Sequence, residues 1–182
     1  GLQGAEAGAA AEEASPSLKK GLEDDGERKK QRKIDIADVE IVAIDEKNQD
    51  MCKQAKNVFS EGLKNKIIGK QEYEKHYDVL IHQLDEISTI GYVAINKTDN
   101  TVLSVVFLTA IEDIITIQFL VTHVKFRSQG IGGKIITFLK EQYAKKFKYL
   151  KVSILDAAKE FYVRNEFKET LEDRRIMYFN LK

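Results

Sequence analysis

The stretch "FLVTHVKFRSQGIGGKIITFLKEQ", Phe119–Gln142, runs from an apolar β-branched segment through a glycine cluster into a segment of helical period. Glycines at 130, 132 and 133 fall where a strand ends and a helix starts. A helix N-terminus carries amides without intrahelical acceptors and the positive end of the dipole, so this junction suits an anion. Two common anion loops fail here. A nucleoside-triphosphate loop needs Ser or Thr after Gly133-Lys134, but Ile135 follows, and Ser128 holds the first glycine position. A dinucleotide fingerprint needs a third glycine where Ile135 stands. What is left is Arg127-Ser128-Gln129-Gly130-Ile131-Gly132, read either as a phosphate or pyrophosphate cradle or as a glycine turn with no ligand.

Working outward, the flanks give the fold class. "DVEIVAID" alternates as a strand from near Ile34, and helical patterns follow at about 49–60 and 71–86. "IGYVAI" and "VLSVVFLTA", joined by "NKTDN", read as an antiparallel hairpin, and "IEDIITIQFLVT" pairs back through a turn at Ile111–Asp113. After the glycines, Ile131, Ile135, Phe138 and Leu139 recur at helical spacing, with Lys145, Lys146 and Lys148 at the negative end of the dipole. "LKVSI" is then a strand one helix beyond "IQFLVT", which makes those two strands parallel. A short helix at about 157–164 and the strand pair "FKET" and "RIMYFNL" close the chain. The expected fold is α/β: a mixed, mostly antiparallel central sheet flanked by helices.

Composition narrows the function. The 182 residues fit one domain with an appendage, and 43% hydrophobic content is enough for one core. Residues 1–33 are rich in Ala, Glu, Gly, Ser and Lys and contain Pro16 and no aromatic residue, so they read as a weakly ordered extension; 34–182 is the domain. "RKKQRK", Arg28–Lys33, is open to reading as an import or nucleic-acid patch, but the acidic run Glu23–Glu27 beside it favours a solvated charge run. Net charge is zero, so no overall field favours nucleic acid or a membrane, and any anion site is local. A single cysteine, Cys52, excludes an internal disulfide framework and points to an intracellular, cytoplasmic or nuclear protein. No apolar run reaches the roughly 20 residues of a membrane span. His76 and His82 lack metal-ligand spacing, and no metal site is expected.

Two motifs carry a family resemblance. Arg-x-x-Gly-x-Gly after "FLVT" resembles the acetyl-CoA signature of the GNAT superfamily of N-acetyltransferases. "AAKEFYVRNEF", Ala157–Phe167, is similar to the family's later Ala-x-x-x-Tyr-x-x-x-Gly-Phe segment, with Ala158, Tyr162 and Phe167 in place. The chain departs from the pattern at Val124, where many members have proline, at Glu166, where glycine is usual, and at Leu155, which replaces an asparagine.

The resemblance implies an acetyl-CoA-dependent N-acetyltransferase whose fourth and fifth strands splay apart. The edge at Leu120, Val121 and Thr122 would take the pantetheine arm and stabilise the oxyanion. The loop of Arg127, Ser128, Gln129, Gly130, Ile131, Gly132, Gly133 and Lys134 would take the pyrophosphate. Tyr162 would protonate the leaving thiolate. For the base that frees the amine, position suggests Glu112 and Asp113, in the turn before the fourth strand, with His123 at its end placed to relay a proton. The acceptor is expected to be a protein or peptide amine, with a small amine as the alternative. Histone-type members carry a glutamate on the fourth strand where this chain has Thr116, with Gln118 nearby. A non-catalytic CoA-binding module is the reading from a different class.

Overall fold

The computed structural model describes residues 31–154 and 156–182. Most of the expected N-terminal extension, with Arg28–Lys30 of the basic run, lies outside the described residues, as does Leu155. The elements are β1 (Val39–Ala43), α1 (Gln49–Leu63), α2 (Lys70–His82), β2 (Thr89–Asn96), β3 (Val102–Ile111) and β4 (Ile114–Thr122), then α3 (Ile131–Tyr143), β5 (Tyr149–Ser153), α4 (Lys159–Arg164), β6 (Lys168–Glu169) and β7 (Ile176–Asn180). One seven-stranded sheet results, in the order β1-β2-β3-β4-β5-β7-β6. Only β4 and β5 are parallel, and α3 is their crossover. The mixed, mostly antiparallel sheet expected from the sequence is the one observed.

Two apolar faces hold the helices. Phe107, Phe119 and Val121 face α1 and α2, where Phe59 sits 5.0 Å from Phe119 and 5.8 Å from both Phe107 and Tyr77 (ring centroids). Val106, Leu108 and Leu120 face the other way, against Ile131, Ile135 and Leu139 of α3 and Phe161 and Tyr162 of α4. Side chains of a strand alternate between faces, so neighbouring residues serve different cores. In α1 the buried Ala55, Val58, Phe59 and Leu63 repeat at helical spacing, and the Asn48 side chain caps the helix by accepting from the Met51 N–H at 3.0 Å.

The helix expected over 71–86 stops at His82. Gln83 closes it, and Leu84 makes an isolated bridge to Thr89, while Asp85 turns left-handed (φ 68°). The expected glycine position before Phe167 is held by Glu166 at φ 72°, which explains why a residue without Cβ suits that place.

Candidate functional site

The fourth strand changes partner and alternation midway. Over Ile114–Ile117 it pairs with β5, ending at Ile117 opposite Val152. Its register with β3 then slips: Phe107 pairs with Phe119 and Leu108 with Ile117, leaving Gln118 as an inserted residue. Such a bulge shifts alternation by one and bends the strand. Ile115 and Ile117 face the α3 core before it; Leu120 faces that core after it. The Gln118 side chain is held by donating to Thr109 Oγ1 at 2.8 Å.

Beyond the bulge β4 runs clear of β5. The His123 N–H donates to Leu103 O at 2.8 Å, so odd-numbered residues of this half bond to β3. In an antiparallel ladder the intervening residues then point their N–H and C=O groups outward, which turns Leu120 and Thr122 toward the opening between β4 and β5. Arg127 reaches back over that end, its Nε donating to Thr122 O at 3.2 Å.

The glycine loop follows directly. Ser128 (φ 63°) and Gly130 (φ 88°) both adopt left-handed backbone, reversing the chain into α3. Gly130 is the N-cap and offers no side chain to the first turn, so the amides of Ile131, Gly132 and Gly133 have no intrahelical acceptor. Lys134 N–H already bonds to Gly130 O at 3.1 Å. An anion would meet three amides and the helix dipole.

The side chains of two loop residues are used differently. Gln129 bonds the segment before β1 on both sides, its Nε2 donating to Arg32 O (2.7 Å) and its Oε1 accepting from Ile34 N–H (2.8 Å). Lys134 Nζ donates to Ile36 O (3.0 Å) and Val39 O (2.6 Å).

The three proposed proton-transfer residues lie on three different elements. Tyr162 is fully buried, hydroxyl included, with ring centroids 4.9 Å from Phe161 and 5.1 Å from Phe167. It shares the α3-side core with Leu120. His123 caps the turn Val124–Phe126, its Nδ1 accepting from Lys125 N–H at 3.0 Å. Burial first, then the charges of Lys125 and Arg127, lowers its pKa and favours neutral imidazole. With Nδ1 occupied as acceptor, that neutral ring carries its proton on Nε2 and is a donor there, not a base. Glu112 lies in the exposed turn between β3 and β4. Gln118 lies six positions beyond it, up to about 20 Å at about 3.3 Å per residue, because β4 runs away from that turn toward the opening.

A cleft of about 360 Å³ adjoins the end of β4, lined by Asn57, Glu61, Lys64, Lys66, His123 and Arg127 among others. The helix α1 residues in it carry no sequence signal beyond their period; they meet β4 only through the tertiary fold. Hydrogen bonds from Lys70 and Lys64 hold the Glu61 carboxyl below the usual carboxylate range. The described residues contain no cluster of His, Cys, Asp or Glu able to hold a metal, and no helix among them is long and apolar enough to cross a membrane.

Comparison with known proteins places this geometry in a family. The model of the acetyltransferase (GNAT) domain matches residues 75–169. Among solved structures, the PaiA N-acetyltransferase of Thermoplasma acidophilum in complex with coenzyme A is 15% identical with a TM-score of 0.61, covering 78% of this chain and 98% of that one. The aminoglycoside 6′-N-acetyltransferase of Enterococcus faecium is 11% identical with a TM-score of 0.61, over 79% and 97%. The catalytic domain of the Tetrahymena GCN5 histone acetyltransferase in complex with coenzyme A is 16% identical with a TM-score of 0.56, over 80% and 93%. No curated protein matches the chain.

Proposed function

The chain belongs to the GNAT acetyltransferase family, and on that premise we propose that it transfers the acetyl group of acetyl-CoA to a primary amine on a protein or peptide. The observation that carries the reading is the parting of β4 from β5 after Ile117, which turns the backbone of Leu120 and Thr122 outward and ends at the glycine loop. These residues fit the cofactor: an extended edge suits an amide-bearing arm, and the amides of Ile131–Gly133 suit a pyrophosphate. Bound acetyl-CoA would supply an activated thioester for direct attack by the amine.

The chain's own residues would do the rest. The Leu120 N–H is the donor for the carbonyl oxygen, as a fixed backbone dipole needs no reorganisation. Tyr162 is the proposed proton donor to the departing sulfur, since a tyrosine hydroxyl is protonated at neutral pH. His123, with Nδ1 occupied, offers its Nε2–H to orient water in the cleft. A lysine-like amine keeps its proton in all but about one molecule in a thousand at neutral pH, so water in the cleft beside His123 and Glu61 must carry that proton away.

Support for a polypeptide acceptor comes from the sheet face beyond β4. The α1–α2 core stops at β4, and Ile114, Tyr149, Lys151, Glu172, Ile176 and Tyr178 line a shallow groove of about 530 Å³ there. An open groove of this kind suits an extended chain; an enclosed pocket for a small amine is not what these residues build.

The test is calorimetric titration of the full chain with acetyl-CoA, beside Gly132→Val, followed by transfer assays on peptides and small amines. A Cβ at a loop amide blocks close approach of an anion, so the variant should bind about a hundredfold more weakly, the loss of about two charge-assisted hydrogen bonds. The melting temperature of the variant serves as control, because Gly132 is buried. Tight binding without turnover on any amine would leave a CoA-binding module; turnover on small amines alone would overturn the peptide reading.

A further inference from the structure

The segment Arg32–Val39 crosses the glycine loop and is tied to it at both ends. Arg32 N–H donates to Lys125 O at 2.8 Å, and Gln129 brackets Lys33 through Arg32 O and Ile34 N–H. Lys134 holds the carbonyls of Ile36 and Val39. A Cβ on Gly130 would lie 3.9 Å from Ile36 Cδ1, so the segment passes within van der Waals reach of the loop. Five hydrogen bonds in all tie residues 32–39 to the loop, four to the stretch before the sheet and one to Val39 at the start of β1.

The charges make the placement informative. The two cations inside the loop motif are turned onto protein backbone: Arg127 to Thr122 O, Lys134 to Ile36 O and Val39 O. With zero net charge overall, the loop has no general field to attract a multiply charged ligand. The cations on the touching stretches are Arg32, Lys33 and Lys125, all exposed. Facing them are Asp99, 3.5 Å from Arg32, and Asp35, which accepts from Ala37 N–H, while Asp38 lies at the far end of the segment beside β1.

Resting on the cofactor reading above, we propose that the Arg32–Val39 segment is a strap that completes the cofactor site, with Arg32, Lys33 and Lys125 forming the contact for the 3′-phosphate of CoA. Gln129 and Lys134 then act as positioning residues through the strap, and the amides of Ile131–Gly133 take the pyrophosphate. Two phosphate groups of one ligand meet two kinds of donor, backbone amides in the loop and side-chain cations on the strap.

Calorimetry of the full chain with CoA and with 3′-dephospho-CoA separates the two. The wild type should bind CoA about tenfold more tightly, the worth of one charge-assisted hydrogen bond set. Arg32→Ala/Lys33→Ala/Lys125→Ala should bind both ligands alike, at the wild-type affinity for 3′-dephospho-CoA, and Gln129→Ala should shrink the same ratio by freeing the strap. No preference in the wild type, a preference kept by the triple variant, or equal loss for both ligands would overturn the strap. A wild type that binds neither ligand would overturn the cofactor reading and the strap with it, whereas tight binding of both with no preference would overturn the strap alone.

Discussion

The two halves of β4 share β3 as a partner and differ at the other edge. Ile114–Ile117 is an interior strand, paired on one side with β3 and on the other with β5. Past Gln118, Phe119–Thr122 keeps β3 and leaves β5, with its side chains still buried and its outer backbone turned to an opening. Both halves read as β-branched and apolar, because both bury their side chains on two faces. The difference lies in the main chain. A bulge at one residue ends the ladder with β5 and resets which side chains face α3, so one strand supplies a core at one end and a polar edge at the other.

The most severe way to break that contrast is at Tyr162, in the α3-side core that Leu120 also joins. Tyr162→Phe should lower turnover about a hundredfold while leaving acetyl-CoA affinity near wild type, as loss of a general acid does. Single-turnover rates beside calorimetric affinities make the distinction, and unchanged turnover removes Tyr162 from the mechanism.

Gly62→Ala attacks the contrast from α1. A Cβ there would collide with Val121 Cγ1 and approach Arg127 Nη2 to 3.7 Å, pushing on the half of β4 that has no β5 to brace it. Overpacking of this kind costs about 1–3 kcal/mol, to be read from urea unfolding, and affinity for acetyl-CoA should fall as the edge shifts. Stability at the wild-type level would mean that Val121 has room to turn.

Acid should also reach the opening half. His76 packs its ring 5.4 Å from Phe119, and His123 sits at the strand's end; burial lowers the pKa of both. A lowered folded-state pKa means that the unfolded chain takes up protons first as pH falls below about 6.5. Stability is therefore fully present above that pH and declines below it, through the depressed folded values. Urea midpoints between pH 7 and 5 should show the decline, and His76→Gln with His123→Gln should flatten it; an equal slope in the double variant assigns the effect to carboxylates.

At the opposite end the expected effect is smallest. Glu112→Ala, in the exposed β3–β4 turn, should change neither turnover nor stability by more than about 0.5 kcal/mol, apart from its left-handed backbone at φ 54°. A large loss of turnover there would show that the two ends of β4 are coupled.

Much of this was legible before any coordinates. Phe119–Gln142 carries its own strand, turn and helix signals, since β-branched runs, glycines and a 3.6-residue period each act over a few residues. The parallel pairing of β4 and β5 followed from the length of the crossover between them. The strand expected over "LKVSI" and the short helix near 157–164 appear as β5 and α4, the helix entered through the turn Asp156–Ala158. Boundaries were less legible: α2 ends at His82 because Asp85 takes up a left-handed turn, a choice settled by its bond from N–H to Thr89 O across the next strand.

By itself the sequence determined the order of elements, the sheet class, the glycine loop and the family, because local patterning fixes each of them. Only the tertiary structure decided what the loop residues do. Gln118 gives no sign in sequence of being the bulged residue, since register depends on both strands at once. Gln129 and Lys134 read as loop positions for their amides, and only the fold shows their side chains bonded to residues 32–39, some 95 positions away. His123 reads as a relay with both ring nitrogens available until Lys125 N–H takes its Nδ1. Such roles are set by which partner arrives in space, and hydrogen bonds between distant segments leave no period or spacing to read.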